Sequence, residues 1–138
     1  MKITAIEVHP LRVELREPFA FSQWTFHQRQ TTLVEVRTDQ GLTGWGEAYG
    51  PALPNASAVR DFFAPMLVGR DPRDTEALWH FLFARSLDYG QKGTMLAAIS
   101  ALDIAFWDIT AVRLEVEQNQ LVGVFVGTAL GIRCLECL

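Results

Sequence analysis

Apolar and polar residues alternate along the first part of the chain, a pattern typical of β-strands. Ile6 and Val8 are separated by a polar residue, whereas from Leu11 onward the apolar positions are the odd-numbered ones. Alternation with a period of two indicates one buried face, and the change of phase at His9-Pro10 indicates a bulge or bend. The sequence therefore predicts a long first strand with an irregularity near its middle.

Two more strands are predicted at 31–38 and 42–48. The Asp39-Gln40-Gly41 turn between them fits a short hairpin, in which glycine adopts the positive φ that such turns need. Gly44 and Gly46 weaken the third strand on propensity alone, so they indicate close approach of another backbone segment. Together the three strands are predicted to form an antiparallel meander.

Helical periodicity replaces alternation in the middle of the chain. A first helix is predicted to be capped by Asn55 or Ser57 and disturbed near its end by Pro65. A second is predicted to begin at Asp71-Pro72, with the carboxylate as N-cap and proline at the first helical position. The apolar faces comprise Val59, Phe62, Phe63 and Met66 in the first helix, and Leu78, Phe81 and Leu82, extended by Trp79 and Phe83, in the second. The predicted fold class is α+β, a three-stranded meander followed by a helical bundle.

A third helix is predicted from about 92 to about 109, and its part 97–109 is apolar nearly all round, interrupted only by Ser100, Asp103 and Asp108. A helix of this kind must be buried on several sides, and the preceding hundred residues cover only one or two of them. Exposure to water would cost about 1.5–3 kcal/mol for each large side chain. The helix is therefore expected to need a partner surface, either a further domain or, in a homo-oligomer, a second copy of the chain.

Composition excludes several classes of partner. The 138 residues suffice for one ordinary domain, and shares of 49% hydrophobic and 20% charged residues are those of a foldable globular chain. A net charge of −4, with Lys2 and Lys92 as the only lysines, argues against nucleic-acid binding. The chain start lacks the apolar run of a secretory signal, so a cytoplasmic location is expected. The apolar stretch 121–132 is shorter than the ~20 residues of a membrane helix, so no membrane span is expected.

Residue patterns alone reveal no catalytic constellation. Asp103 and Asp108 lie five positions apart, about 140° around a helix, so each is expected to accept local hydrogen bonds and not to share a substrate atom or metal ion. Cys134 and Cys137 would supply only half of a four-ligand zinc site, and two incidental thiols are the favoured interpretation. No Ser-His-Asp set or glycine-rich phosphate loop occurs. We therefore predict neither catalytic residues nor metal ligands in this chain.

Several stretches resemble, in order and spacing, the N-terminal capping domain of the enolase superfamily, in the mandelate racemase and muconate lactonizing enzyme branch. They are the opening MKITAIEVHPLRVELREPF, Gly44-Trp45-Gly46-Glu47, the linker LVGRDPRDTEALW and the helix AAISALDIAFWDI. The run containing Gly50-Pro51, Pro54-Asn55 and GQKG looks most like the sugar-acid enzymes of that branch, among them the galactarolactone cycloisomerases. The resemblance covers residues 1–109.

The resemblance implies that the chemistry lies in a following β/α barrel, for which this chain has too few residues, since a barrel takes ~250. In such barrels carboxylates bind magnesium, and bases take a proton α to a carboxylate. No position here matches those residues, so no cofactor is expected in this chain and Mg²⁺ only in the full-length parent enzyme. The barrel bases decide between dehydration, racemisation and cycloisomerisation.

The resemblance also implies two loops, 18–30 and 49–55, that close over the barrel mouth and exclude water. The large apolar side chains of these loops, Phe26 among them, are expected to shape the substrate pocket, or else to plug the sheet edge. The polar side chains of the loops are expected to contact a hydroxyl or carboxylate group of an acid substrate, or else simply to face solvent. The candidate substrate-binding residues are Phe19, Phe21, Trp24, His27, Arg29 and Tyr49. Structural roles are expected for Glu47, and for Trp107-Asp108 as a packing contact with the barrel.

Residues 110–138 are predicted to be a divergent tail. After Ile109 the resemblance predicts a Gly-Lys pair and a Leu-Gly-Gly run, but the chain reads TAVRLEVEQNQ. A frameshift or truncated gene is the favoured explanation, which would make the chain an inactive lid. Two alternatives are a stand-alone binding or assembly module, whose apolar helix pairs with another chain or is covered by 121–132, and an enzyme assembled from two polypeptides.

Overall fold

A computed structural model describes residues 1–118, with side chains described through Arg113. The apolar stretch 121–132 and the cysteine pair lie outside the described residues. The elements are β1 (Ile3–Phe21), β2 (Trp24–Thr38), β3 (Thr43–Tyr49), α1 (Ala52–Ser57), a π-helical turn (Ala58–Phe63), α2 (Ala64–Leu67), α3 (Thr75–Arg85), a 3-10 turn (Leu87–Tyr89) and α4 (Thr94–Gln118).

The predicted antiparallel meander is confirmed, with strand order β1-β2-β3. The bulge predicted at His9-Pro10 is wrong, because β1 pairs with β2 without a register shift from Ala5 to Glu14, and the shifts lie between Ile3 and Ala5 and between Glu14 and Phe19. The change of phase has another cause. Ile6 and Val8 pack against the core, whereas Leu11 and Val13 are exposed. The apolar residues change face while the pairing of the two strands continues in register.

One face of the sheet packs against the helices and forms the core. Val34, Val36 and Ala48 from the sheet meet Phe63, Leu82 and Phe106 from the helices, all of them buried. The predicted apolar faces of the first two helices are confirmed. Val59, Phe63, Leu78 and Leu82 are buried, and Phe62, Met66, Trp79 and Phe81 are partly buried against them. The α+β prediction therefore holds for the described residues.

Two predicted helix starts are wrong. Asn55 caps no helix, because α1 already begins at Ala52 and Asn55 is buried within it. α3 begins at Thr75, not at Asp71-Pro72, because the Asp71 carboxylate is already paired with the Arg73 guanidinium and with the chain's amino terminus. In both places a polar side chain that was expected to cap a helix serves a tertiary contact.

The predicted end of the third helix is also wrong, because α4 continues past Ile109 to Gln118. The residues after Ile109 contain no proline or glycine up to that point, and most of them are compatible with a helix. The segment Thr94–Arg113 is long and apolar enough to cross a membrane by length and composition. Its burial against the sheet accounts for that apolarity, since Ile99, Leu102 and Phe106 are all core residues.

α4 lies unusually close to the edge strand β3. A Cβ atom on Gly44 would overlap the carbonyl oxygen of Ala105, and one on Gly46 would overlap that of Ala101. The close approach predicted from these two glycines is thus confirmed. Between them the Trp45 N–H donates to Asp108 Oδ2 at 2.8 Å. Asp108 is thus an acceptor, as expected, but its donor lies on β3 and not in the neighbouring helix backbone. The helix therefore covers the free edge of the sheet at this point.

Replacing Gly46 with alanine should destabilise the domain by about 3 kcal/mol, the upper part of the range for overpacking, because the obstructing atoms belong to helix backbone. Chemical denaturation of both proteins measures the difference in the free energy of unfolding. Gly41→Ala is the control. A Cβ there meets no atom within 4 Å, and its cost comes only from the φ of +76°. Equal losses in the two variants would contradict the steric explanation.

Candidate functional site

The first predicted loop, 18–30, is a β-hairpin, and this corrects the prediction. β1 runs to Phe21 and β2 begins at Trp24, with Ser22 at a φ of 48° in the turn between them. Phe19 is paired with Phe26, and Phe21 with Trp24. Aromatic cross-strand pairs stabilise such ribbons, which explains why the segment is paired. Between this turn and Thr31 the hairpin is a two-stranded ribbon. β3 adds a third strand only from Thr31 onward, where its pairing with β2 begins.

Four aromatic side chains share one face of this ribbon, since directly paired residues and residues two apart point the same way. Phe21 stacks on Phe26 at 5.5 Å between centroids, and Phe19 contacts Phe21 at 6.0 Å. All four are exposed, Trp24 at the tip to 67%. We call the four the aromatic face; its members are Phe19, Phe21, Trp24 and Phe26. The three phenylalanine rings pack on one another, and the four side chains leave a large apolar surface in water.

The two polar candidates on the ribbon lie in different surroundings. Arg29 reaches the aromatic face, with its guanidinium carbon 4.8 Å from the Phe19 centroid and 5.9 Å from that of Phe26. A cation over an aromatic ring is attracted to it electrostatically. His27 is exposed and lies opposite the register shift between Glu14 and Phe19. The structure thus brings Arg29, but not His27, to the aromatic face.

The second predicted loop, 49–55, is also mostly regular structure. Tyr49 ends β3 with its side chain 82% exposed, Gly50 has a φ of 114°, and α1 begins at Ala52. The segment is tied to the base of the ribbon, because Ala52 N–H donates to Gln30 Oε1 at 3.3 Å. Asn55 Nδ2 donates to Tyr49 O at 3.0 Å and to Ala48 O at 3.4 Å. The two predicted lid segments are therefore joined at their bases.

A cleft of about 390 Å³ lies between this second segment and the beginning of α4. Asn55 Oδ1 lies at its wall, buried and without a hydrogen-bond partner among the described residues. Glu47, also at the wall, accepts a hydrogen bond of 2.6 Å from Thr31 Oγ1. The remaining lining residues are Tyr49, Gly50, Pro51, Gly93, Thr94, Ala97 and Ser100.

The outer face of the sheet carries a charged cluster that sequence analysis missed. Glu7, His9 and Glu35 bring candidate ligand atoms within 4.8 Å of one another. Arg37 pairs with both carboxylates, at 3.0 Å to Glu7 and 2.6 Å to Glu35. Because Mg²⁺ prefers oxygen ligands in octahedral geometry, a cluster with an imidazole and a guanidinium does not fit it. Only the β1–β2 register, which pairs Glu7 with Glu35, could have predicted this cluster.

Arg37 also lowers the pKa of one carboxyl in this cluster. Its hydrogen bond lowers the pKa of Glu35 below the ordinary 4.5, although burial opposes the shift and His9 adds to it. A carboxyl with a lowered pKa in the folded state stabilises the fold above its ordinary pKa and loses that contribution as the pH falls through the lowered value. The stabilisation from Glu35 is therefore complete near neutral pH and lost in acid.

Glu35→Gln should reduce the free energy of unfolding by about 1 kcal/mol at pH 7 and by much less at an acid pH below the lowered pKa of Glu35, where the carboxyl is itself neutral. Urea denaturation at the two pH values measures both differences. The control is Glu14→Gln on the neighbouring strand β1, whose exposed side chain pairs only loosely with Arg12 at 3.8 Å. A deficit at Glu35 that does not change with pH would contradict the ion-pair role.

The outward side of α4 completes the candidate site. Trp107 is 58% exposed, and Ile104, one turn away, is also exposed. Asp103 lies half-buried beside them without a hydrogen bond or ion pair among the described residues, so the hydrogen bond expected for this carboxylate is a wrong prediction. Burial raises the pKa of its carboxyl. The helix thus presents an apolar surface with one uncompensated acidic group.

This arrangement of a meander, a covering helix and two joined segments is that of an enzyme N-terminal domain. The family model for the N-terminal domain of mandelate racemase and muconate lactonizing enzyme matches residues 2–123. The chain therefore belongs to the mandelate racemase/muconate lactonizing enzyme family, within the enolase superfamily. The match extends past Ile109, where the sequence resemblance ended, and the domain boundary at that residue stays a prediction.

Individual relatives agree with this assignment. The D-galactarolactone cycloisomerase of Agrobacterium fabrum is 42% identical over 123 residues, 89% of this chain and 32% of that protein. The D-mannonate dehydratase of Rhizorhabdus wittichii is 36% identical over 72% of this chain and 25% of that protein. The structure of 3,6-anhydro-D-galactonate cycloisomerase from Zobellia galactanivorans matches with a TM-score of 0.71 at 38% identity, over 83% of this chain and 29% of that one. The chain thus spans about a third or less of these relatives.

Proposed function

We propose that this chain is the capping domain of an enzyme that acts on sugar acids or lactones by taking a proton α to a carboxylate. The ribbon and the segment 49–55 act as a lid over a β/α barrel, and the barrel carries out the chemistry. The observation that carries the proposal is the exposed aromatic face at the end of the ribbon. The chain alone is inactive in this proposal, since none of its residues takes a catalytic role.

The energetics of the ribbon support a lid. A two-stranded hairpin is at best marginally stable in water. Exposure of the aromatic face to water is also unfavourable relative to its burial. Closing over a barrel mouth buries these rings and removes water from the pocket, which strengthens every electrostatic interaction inside. The surface that costs stability in the free domain therefore contributes to substrate enclosure in the assembled enzyme.

The substrate class rests on the relatives and on the polar side chains of the lid. The relatives named above act on D-galactarolactone, D-mannonate and 3,6-anhydro-D-galactonate. Arg29, beside the aromatic face, is suited to a carboxylate or hydroxyl of such a substrate. Tyr49 and His27 present further polar groups from the two segments. The magnesium ion expected for the parent enzyme belongs to the barrel, because the cluster described above does not fit it.

One observation favours a second function, that of a stand-alone assembly module. Ile104 and Trp107 are exposed on α4, and a second copy of the chain would cover them. In that case the chain is a stable dimer at micromolar concentration, and Trp107→Ala converts it to a monomer. Analytical ultracentrifugation of the 138-residue chain separates the two functions, because a capping domain without its barrel forms no discrete dimer.

Removing an aromatic side chain of the lid should impair turnover. We expect Phe21→Ala or Trp24→Ala to lower kcat/KM about tenfold or more in a fusion in which residues 1–109 replace the matching segment of the A. fabrum cycloisomerase. The melting temperature should change little, because both side chains are largely exposed. Turnover of D-galactarolactone measures the effect.

The matched control is Val13→Ala, an exposed apolar residue of the same ribbon outside the aromatic face. It should leave kcat/KM unchanged. Lid variants that turn over substrate as fast as this control would contradict the role of the aromatic face. A fusion that folds but has no activity even without further substitution would contradict the capping function itself.

A further inference from the structure

The outward side of α4 and the cleft above it form one surface. Ala97 and Ser100 line the cleft, and Ile104 and Trp107 follow on the same side of the helix at intervals of three and four residues. We call this surface the docking face. Its members are Ala97, Ser100, Asp103, Ile104 and Trp107 on α4, together with Glu47 and Asn55 at the cleft.

The polar groups that stay uncompensated on the docking face are hydrogen-bond acceptors. Asn55 Oδ1 is buried and unpaired among the described residues, and the two bonds donated by Nδ2 fix the orientation of the amide. Within the same part of the chain, Asp103 has neither a hydrogen bond nor an ion pair. Glu47 receives one hydrogen bond, from Thr31. A surface that covers this face must therefore supply donors.

We infer that the docking face receives a basic side chain, a lysine or arginine of the barrel domain, which pairs with Asp103. The inference rests on the proposed function, because the barrel is the partner. The relatives are long enough to contain one, since the chain spans only 23% to 34% of their length. An apolar cover would leave the carboxylate desolvated and unpaired, which is strongly unfavourable.

A second copy of the chain fits this surface less well. A two-fold dimer brings the same patch together from both chains, so each Asp103 carboxylate would be covered by a copy of the same apolar and acidic surface. Neither copy supplies a cation from the docking face, because its members are neutral or acidic. The apolar residues of this surface alone would suit a second copy of the chain. The acceptors on it favour the barrel domain instead.

The test compares Asp103→Asn in two proteins, the 138-residue chain and the fusion with the cycloisomerase barrel. Breaking a covered ion pair should raise the unfolding equilibrium constant of the fusion about a hundredfold. The same substitution should leave the 138-residue chain unchanged or slightly more stable, because there it removes only a desolvated charge. Glu76→Gln, an exposed acid on α3 away from the docking face, is the control and should be neutral in both proteins.

A carboxyl titration by NMR provides the second measurement. The pKa of Asp103 should be above its ordinary value in the 138-residue chain and below it in the fusion, since a neighbouring cation favours the charged form. A fusion that unfolds as one unit while this pKa stays raised and Asp103→Asn is neutral would overturn the pairing and leave the proposed function intact. A fusion whose two parts unfold separately would overturn the proposed function, and the pairing with it.

Discussion

The close contact between the backbones of α4 and β3 determines the geometry of the rest of the domain. Gly44 and Gly46 have no side chains, and their partners on the helix are alanines, so the helix axis lies nearer the strand than larger residues would permit. Alternation along the strand places Trp45 on the opposite face of the sheet, and the short distance brings Asp108 within reach of the Trp45 N–H. It also places the start of α4 beside the end of β3, where the cleft forms.

The two sides of α4 differ in how completely their apolar and polar groups are covered and paired. Toward the sheet, α4 is closely packed, and its polar contact there is satisfied. Away from the sheet, Trp107 remains in water and Asp103 lacks a partner among the described residues. The aromatic face of the ribbon is likewise apolar and exposed to water. A domain that had evolved to be covered on these surfaces would have such an asymmetry, and membership of a family of much longer enzymes agrees with it.

The features that sequence predicted are those that depend on local periodicity. Strand alternation, the apolar faces of the helices and the close approach at Gly44 and Gly46 follow from residue spacing alone. The ribbon at 18–30 was predicted as loop because its pairing depends on the register shift after Glu14, which no periodicity reveals. Asn55 was predicted as a cap because its typical local role is capping, whereas tertiary contacts with Tyr49 and Ala48 determine its position.

The ribbon consists of two strands that pair only with each other beyond Thr31. Residues there have no neighbours in the hydrophobic core, so substitutions, or insertions matched on both strands, alter its tip without disturbing the fold. In the proposed capping function, selection for a new substrate and selection for stability act on separate parts of the sequence. Specificity can then diversify at the tip of the ribbon while the packing of Gly44 and Gly46 against α4 stays fixed.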